Sequence, residues 1–170
     1  MQMNELIIGN LFSCLAMVVD SVSSTRKRAK DVLLFQALSQ FIYLICSIVL
    51  KGYSAAVQNA VSVLRNLAAV KKDLGKALEW TLVILGVVLG LWFNNRGIFG
   101  LLPVIANLEY SLAVFRFKED ERLLKIAFAI CIVLYAIFNL IILNFIGAIS
   151  NLVVLVVTIN YLIKNKKKGI

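Results

Sequence analysis

Three ionisable residues stand inside long apolar runs: Asp20, Arg65 and Glu109. A charge at bilayer depth costs at least about 2.5–3.5 kcal/mol on insertion scales, so it finds a partner or lines an aqueous path. Arg65 precedes Lys71 by six residues and Glu109 precedes Arg116 by seven, which puts the two at nearly the same depth on helices of the same direction. A planar guanidinium suits a two-pronged carboxylate contact. The spacing therefore predicts an Arg65–Glu109 ion pair, with Asp20, about one turn nearer the basic loops, as the alternative acid. Such a pair either locks helices together or acts as a gate or fixed charge for an ionised solute.

Other residue types speak against catalysis. The chain has no histidine, and Cys14, Cys46 and Cys131 are odd in number, far apart and each within an apolar run. Neither a disulfide framework nor a metal-ligand spacing follows, and no nucleophile has a histidine to activate it. An enzyme is not expected, and neither a metal nor another cofactor is implied.

Polar residues inside the apolar runs fall on stripes. Gln36, Ser39, Gln40, Tyr43 and Ser47 share one helical face, as do Asn10, Ser13, Cys14 and Met17. Asn59, Ser62 and Asn66 mark a third helix, Cys131, Tyr135 and Asn139 a sixth, and Ser150, Asn151 and Thr158 a seventh. Any one of them could be interhelical glue, worth about 0.6 kcal/mol per hydrogen bond. A continuous polar face on most helices instead points to a central polar cavity. Gln36, Gln40, Tyr43, Asn59, Asn66, Tyr135 and Asn151 are the candidates to meet a solute there.

The elements that position these residues are membrane helices. Of 170 residues 61% are hydrophobic and 16% charged, with a mean hydropathy of +0.91; a soluble domain carries about 25% charged residues. Apolar runs long enough for a bilayer core of about 30 Å recur at 4–22, 31–50, 53–71, 77–93, 98–117, 122–143 and 145–163. The stretch from Ile126 to Ile163 has no charge, but one helix of that length would span about 57 Å, so it is split at Asn144–Gly147. Trp80 and Trp92 flank the fourth run as interfacial aromatics do. Gly86 and Gly90 give that helix a small-residue face for close packing.

Fifteen of the 18 basic residues fall in alternate connections and the tail: Arg26, Lys27, Arg28, Lys30; Lys71, Lys72, Lys76; Arg116, Lys118, Arg122, Lys125; Lys164, Lys166, Lys167, Lys168. Only Lys51 and Arg96 lie in the opposite loops. Positive loops stay cytoplasmic, which predicts an external N-terminus and a cytoplasmic C-terminus. The acidic start, MQMNEL, reads as a retained helix rather than a signal peptide. The net charge of +9 sits at the ends of apolar runs, so nucleic acid is excluded as a partner. The bilayer is the expected partner, and an assembly of identical copies is compatible with the sequence.

An internal offset of 92 residues places Tyr43 on Tyr135, Ala56 on Ala148, Asn59 on Asn151 and Lys72 on Lys164. Identity is low, 7 in 42 between 31–72 and 123–164, so the gapless match of spans and connections carries the reading. The expected fold is an all-α membrane protein of seven transmembrane helices. They form two parallel three-helix bundles joined by a linker helix: a first repeat over 1–72, helix four over 73–95, and a second repeat with a basic cytoplasmic tail over 96–170. Parallel repeats of this kind hold substrate sites at the repeat interface near the midplane.

With Pro103 in its fifth helix, this 3+1+3 plan resembles the SWEET and PQ-loop carriers over the whole chain, although it has no Pro-Gln doublet and no matching proline in helix one. That resemblance implies a carrier for a small polar organic solute, with Asn59 and Asn151 at the substrate position. The segment RKRAKDVLLFQALSQFIYLICSIVLKGYSAAVQNAVSVLRNL is similar to the bacterial inner membrane protein YgjV family, marked by its basic loop, LLxFQALS, a GxYxxAxxN-like turn and LRNL. The likeness covers about residues 9–72 and implies a bacterial cell membrane without supplying a substrate. Two other readings stay open: a substrate-binding or accessory subunit without transport of its own, such as a vitamin-capturing component, which usually has six helices, and a purely structural membrane protein.

Overall fold

The computed structural model describes residues 3–70 and 75–166. Its seven α-helices are α1 (Met3–Thr25), α2 (Ala29–Val49), α3 (Tyr53–Val70), α4 (Lys76–Trp92), α5 (Leu101–Phe117), α6 (Glu121–Ile141) and α7 (Phe145–Lys166). A 3-10 turn, Gly97–Gly100, leads into α5. No strand occurs among the described residues. Of the basic residues expected at one end, Lys71, Lys72, Lys167 and Lys168 lie outside the described residues, as does the side chain of Lys166.

The helices end where their sequences stop supporting them. After α2, Lys51 turns into the left-handed region (φ 54°). Its N–H bonds Ile48 O at 3.1 Å, and Gly52 N–H reaches back to Ser47 O at 2.9 Å. This is a Schellman close, which satisfies carbonyls the helix leaves orphaned. After α6 the same close recurs: Leu143 has φ 61°, its N–H bonds Leu140 O at 3.2 Å, and Asn144 N–H bonds Asn139 O at 2.8 Å. The break expected near Asn144 is therefore real. The two turns stand 92 residues apart, as do the first and last residues of α2 and α6 and the starts of α3 and α7. At the start of α6, Asp120 caps the helix by accepting from Arg122 N at 2.9 Å and Leu123 N at 3.0 Å.

Every consecutive helix pair packs together, and the chain runs up and down. Helix α2 touches α6 lightly across the middle, and two further, extensive contacts join helices of like direction, α1 with α7 and α3 with α5. They close a ring in the order α1, α2, α3, α5, α6, α7, with α4 against the outside of α3 and α5. Shifting by 92 residues maps α1–α2 onto α5–α6, α2–α3 onto α6–α7, and the α3–α5 contact onto α7–α1. The small residues of α4 allow its close seating. Gly86 O accepts from Gln58 Nε2 of α3 at 2.7 Å, and a Cβ on Gly90 would lie 2.8 Å from Val104 Cγ2 of α5.

Polarity is arranged inside out. Leu11, Ile84 and Ile149 point outward at 57–61% exposure, whereas Ser13, Gln36, Gln58, Arg65, Asn66 and Ser150 are buried. This is the arrangement a lipid surround demands. Five helical segments are long and apolar enough to cross a membrane: Met3–Thr25, Ala29–Val49, Gly97–Phe117, Glu121–Ile141 and Phe145–Asn165. The other two are short, α3 with 18 residues and α4 with 17, and α3 is diluted by the polar side chains that it turns inward.

Candidate functional site: a polar chamber inside the ring

The ring encloses a chamber between two apolar layers. On the side of the basic loops lie Leu33, Leu124, Phe128, Ile132 and Val154; at the far end lie Leu50, Ala55, Phe138 and Ile142. Between them the chamber is lined by Asp20 of α1, Gln40, Tyr43, Cys46 and Ser47 of α2, Asn59 of α3, Cys131, Tyr135 and Asn139 of α6, Asn144 of the α6–α7 turn and Asn151 of α7. Space open to the centre of a water-sized sphere is about 30 Å³. At roughly 10–15 Å³ per water, that admits about two waters and no organic solute in this conformation.

Five expected solute contacts therefore line one space: Asn59, Asn151, Gln40, Tyr43 and Tyr135. Both repeat-related pairs, Tyr43 with Tyr135 and Asn59 with Asn151, are among them. Asn59 donates to Ser47 Oγ at 3.1 Å, and Tyr43 OH approaches Asn151 Oδ1 at 3.5 Å. Three polar atoms of this lining have no hydrogen-bond partner among the described residues: Gln40 Oε1, Tyr135 OH and Asn151 Nδ2. Buried polar atoms are normally satisfied, so an acceptor, a hydroxyl and a donor are left to bind something else. Gln36 and Asn66 are not in the lining. Gln36 Oε1 accepts from Tyr110 OH at 2.5 Å, and Asn66 Oδ1 accepts from Arg65 Nε at 3.0 Å.

The expected ion pair does not form. Arg65 is 1% exposed, and its NH1 donates to Asn107 Oδ1 at 2.6 Å and Ser111 Oγ at 2.9 Å. Its guanidinium lies 4.8 Å from the Tyr110 ring centroid. Neither Glu109 nor Asp20 makes a salt bridge among the described residues, where the bridges are Lys51–Glu5 and Lys125–Glu121. The reason is azimuth. Asn107 and Ser111 are one turn apart and face α3, while Glu109, two residues from each, is rotated by about 160°. Asn107 also accepts from Ser62 Oγ at 2.7 Å and donates to Gln58 Oε1 at 2.6 Å, so Arg65 belongs to a neutral network joining α3, α4 and α5. Asp20 accepts a very short hydrogen bond from Ser39. Cys14, placed on the inward stripe by its spacing, is exposed on the outer face of α1.

Polar contacts tie the helices together at both ends of the chamber. At the basic end Lys125 Nζ bonds Glu121 at 2.6 Å and Arg26 O at 2.7 Å, and sits 3.2 Å from the Tyr161 ring centroid. Beside it Ser24 and Thr158 hydroxyls join α1 to α7 at 2.8 Å. At the far end Asn144 accepts from Ser13 at 3.0 Å and donates to Asn139 at 3.2 Å, while Asn10 Oδ1 accepts from Ile146 N at 2.9 Å.

Sequence reasoning missed Gln58, Asn107 and Ser111 as network members, and it read Lys125 as a loop charge and Asn144 as a turn former. For Asn107 and Ser111 a signal existed, two polar residues one turn apart in an apolar run.

A family model described as a bacterial inner membrane protein, Imp-YgjV, matches residues 7–168. No curated protein and no solved structure matches the chain.

Proposed function

The chain belongs to the Imp-YgjV family of bacterial inner membrane proteins, and on that premise we propose that it is a carrier for a small polar organic solute. The carrying observation is the chamber with Gln40 Oε1, Tyr135 OH and Asn151 Nδ2 unpartnered within it. Buried polar atoms without protein partners are costly, and these three converge on one space. A solute bearing hydroxyl, amide or zwitterionic groups would satisfy all three at once. Seven crossings place the basic ends in the cytoplasm and the N-terminus outside, by the positive-inside rule. The two three-helix repeats, 1–72 and 96–170, rock about the chamber, with helix four over 73–95 keeping them parallel. The present conformation then lies between an inward-open state, reached by breaking the Lys125 tie, and an outward-open state, reached by breaking the Asn144 tie.

Two native cysteines test this. Cys46 and Cys131 line the chamber and are buried, and Cys14→Ser removes the lipid-facing thiol. In oriented vesicles a membrane-impermeant thiol reagent should reach the chamber from either side. Solutes that trap one state should raise labelling from one side and lower it from the other. If neither cysteine is ever labelled from either side, while an introduced loop cysteine is, the chamber never opens and the carrier reading fails.

A further inference from the structure

Asp20 is a carboxyl in the chamber wall, 3% exposed and inside a membrane helix. Among the described residues no lysine or arginine nitrogen bridges it. The two buried cations are engaged elsewhere: Lys125 by Glu121 and Arg26 O, and Arg65 by Asn107, Ser111 and Asn66. No group of three His, Cys, Asp or Glu residues converges on it among the described residues. Among the described residues the carboxyl is hydrogen-bonded by one hydroxyl, that of Ser39. A buried carboxylate with no cation bridging it is most readily neutralised by a proton.

The local geometry serves both protonation states. Ser39 Oγ has one proton and two acceptors in reach: Asp20 Oδ1 and the Gln36 carbonyl at 3.0 Å. With Asp20 ionised, Ser39 donates to the carboxylate. With Asp20 protonated, its O–H donates to Ser39 Oγ, and Ser39 turns its own proton to Gln36 O. No heavy atom has to move. The ionisable groups that share the chamber wall with it are Tyr43 and Cys46 of α2 and Cys131 and Tyr135 of α6. Of the helices packed on α1, α7 presents uncharged Asn151 to the chamber and Thr158 to Ser24, and the charged residues of α2 lie at its basic end, Lys30 and Asp31.

We propose that Asp20 is a reversible proton-binding site in the chamber, so that solute and proton share one space. The coupling rests on the carrier reading; the proton exchange itself does not. The chain has four aspartates, Asp20, Asp31, Asp73 and Asp120, so carboxyl-carbon labelling of aspartate gives a readable spectrum. In proteoliposomes stepped through the physiological pH range, the expected result is a carboxylic-acid signal that titrates reversibly. It should vanish in Asp20→Asn and persist in Asp31→Asn, Asp73→Asn and Asp120→Asn. If Asp20→Asn does not fold, the triple variant of the other three leaves Asp20 as the sole reporter. A signal that stays ionised, or stays protonated, at every pH overturns the proposal. The side-dependence of cysteine labelling, read separately, reports on the carrier reading alone; should both hold, it shifts with pH in wild type and not in Asp20→Asn.

Discussion

Replacing Arg65 by methionine removes a buried charge while keeping most of the side-chain volume. Lost are the three hydrogen bonds to Asn66, Asn107 and Ser111, together about 2 kcal/mol at the average for helix contacts in bilayers. The Tyr110 ring contact adds about 1 kcal/mol. Against this stands the cost of holding a cation at depth, about 2.5–3.5 kcal/mol. The terms nearly cancel, and Asn107 keeps Ser62 as a donor. Arg65→Met is therefore expected within about 1 kcal/mol of wild type, whereas Arg65→Ala, which also opens a void, loses about 2 kcal/mol or more. Reversible unfolding in mixed detergent, followed by helical circular dichroism, measures both. A double-mutant cycle with Glu109→Gln should give a coupling below about 0.5 kcal/mol, since no bridge joins the two. A coupling above about 2 kcal/mol, or an Arg65→Met loss above about 3 kcal/mol, would show that the guanidinium is held by the acid and refute the neutral-network account.

Breaking the tie at the basic end with Lys125→Ala should raise labelling of Cys131 from the basic side severalfold while Cys46 labelling from the far side falls; unchanged labelling on both sides would mean that Lys125 is no latch. Gly90→Leu drives a side chain into Val104 and Gln58, so α4 should lose its seat, and crosslinks between cysteines placed on α4 and α5 should disappear while those between α1 and α7 persist. Reporter fusions after Lys51, Lys76 and Ile170 should report outside, inside and inside, and an external C-terminus would remove the seven-crossing topology.

Much of the fold was legible because run length and charge position report helix ends directly. The α6–α7 boundary is the clearest case. No charge marks it, yet the impossible length of a single helix forced a break, and the Asn–Phe–Gly stretch located it. The candidate chamber was legible in the stripes, since residues one turn apart must share a face. What depth matching could not supply was rotation about the helix axis. Counting from Lys71 and Arg116 put Arg65 and Glu109 level but said nothing about which way Glu109 points, and Asn107 and Ser111 hold the facing positions. Lys125 misled for a related reason: at a helix start it reads as loop charge, and only the approach of Tyr161 and the Arg26 carbonyl from distant segments buries it.

The two seams of the ring are not alike, although the 92-residue offset relates them. Between α3 and α5 the Arg65 network ties both helices to α4, which lies across that seam like a splint. Between α1 and α7 the two helices pack directly on each other, with separate hydrogen bonds near the two ends and, among the described residues, no further helix laid over them. Such a molecule is bound like a book, with a spine along α3–α5 and a fore-edge along α1–α7. If the halves move, they turn about the spine, and the opening runs down the fore-edge.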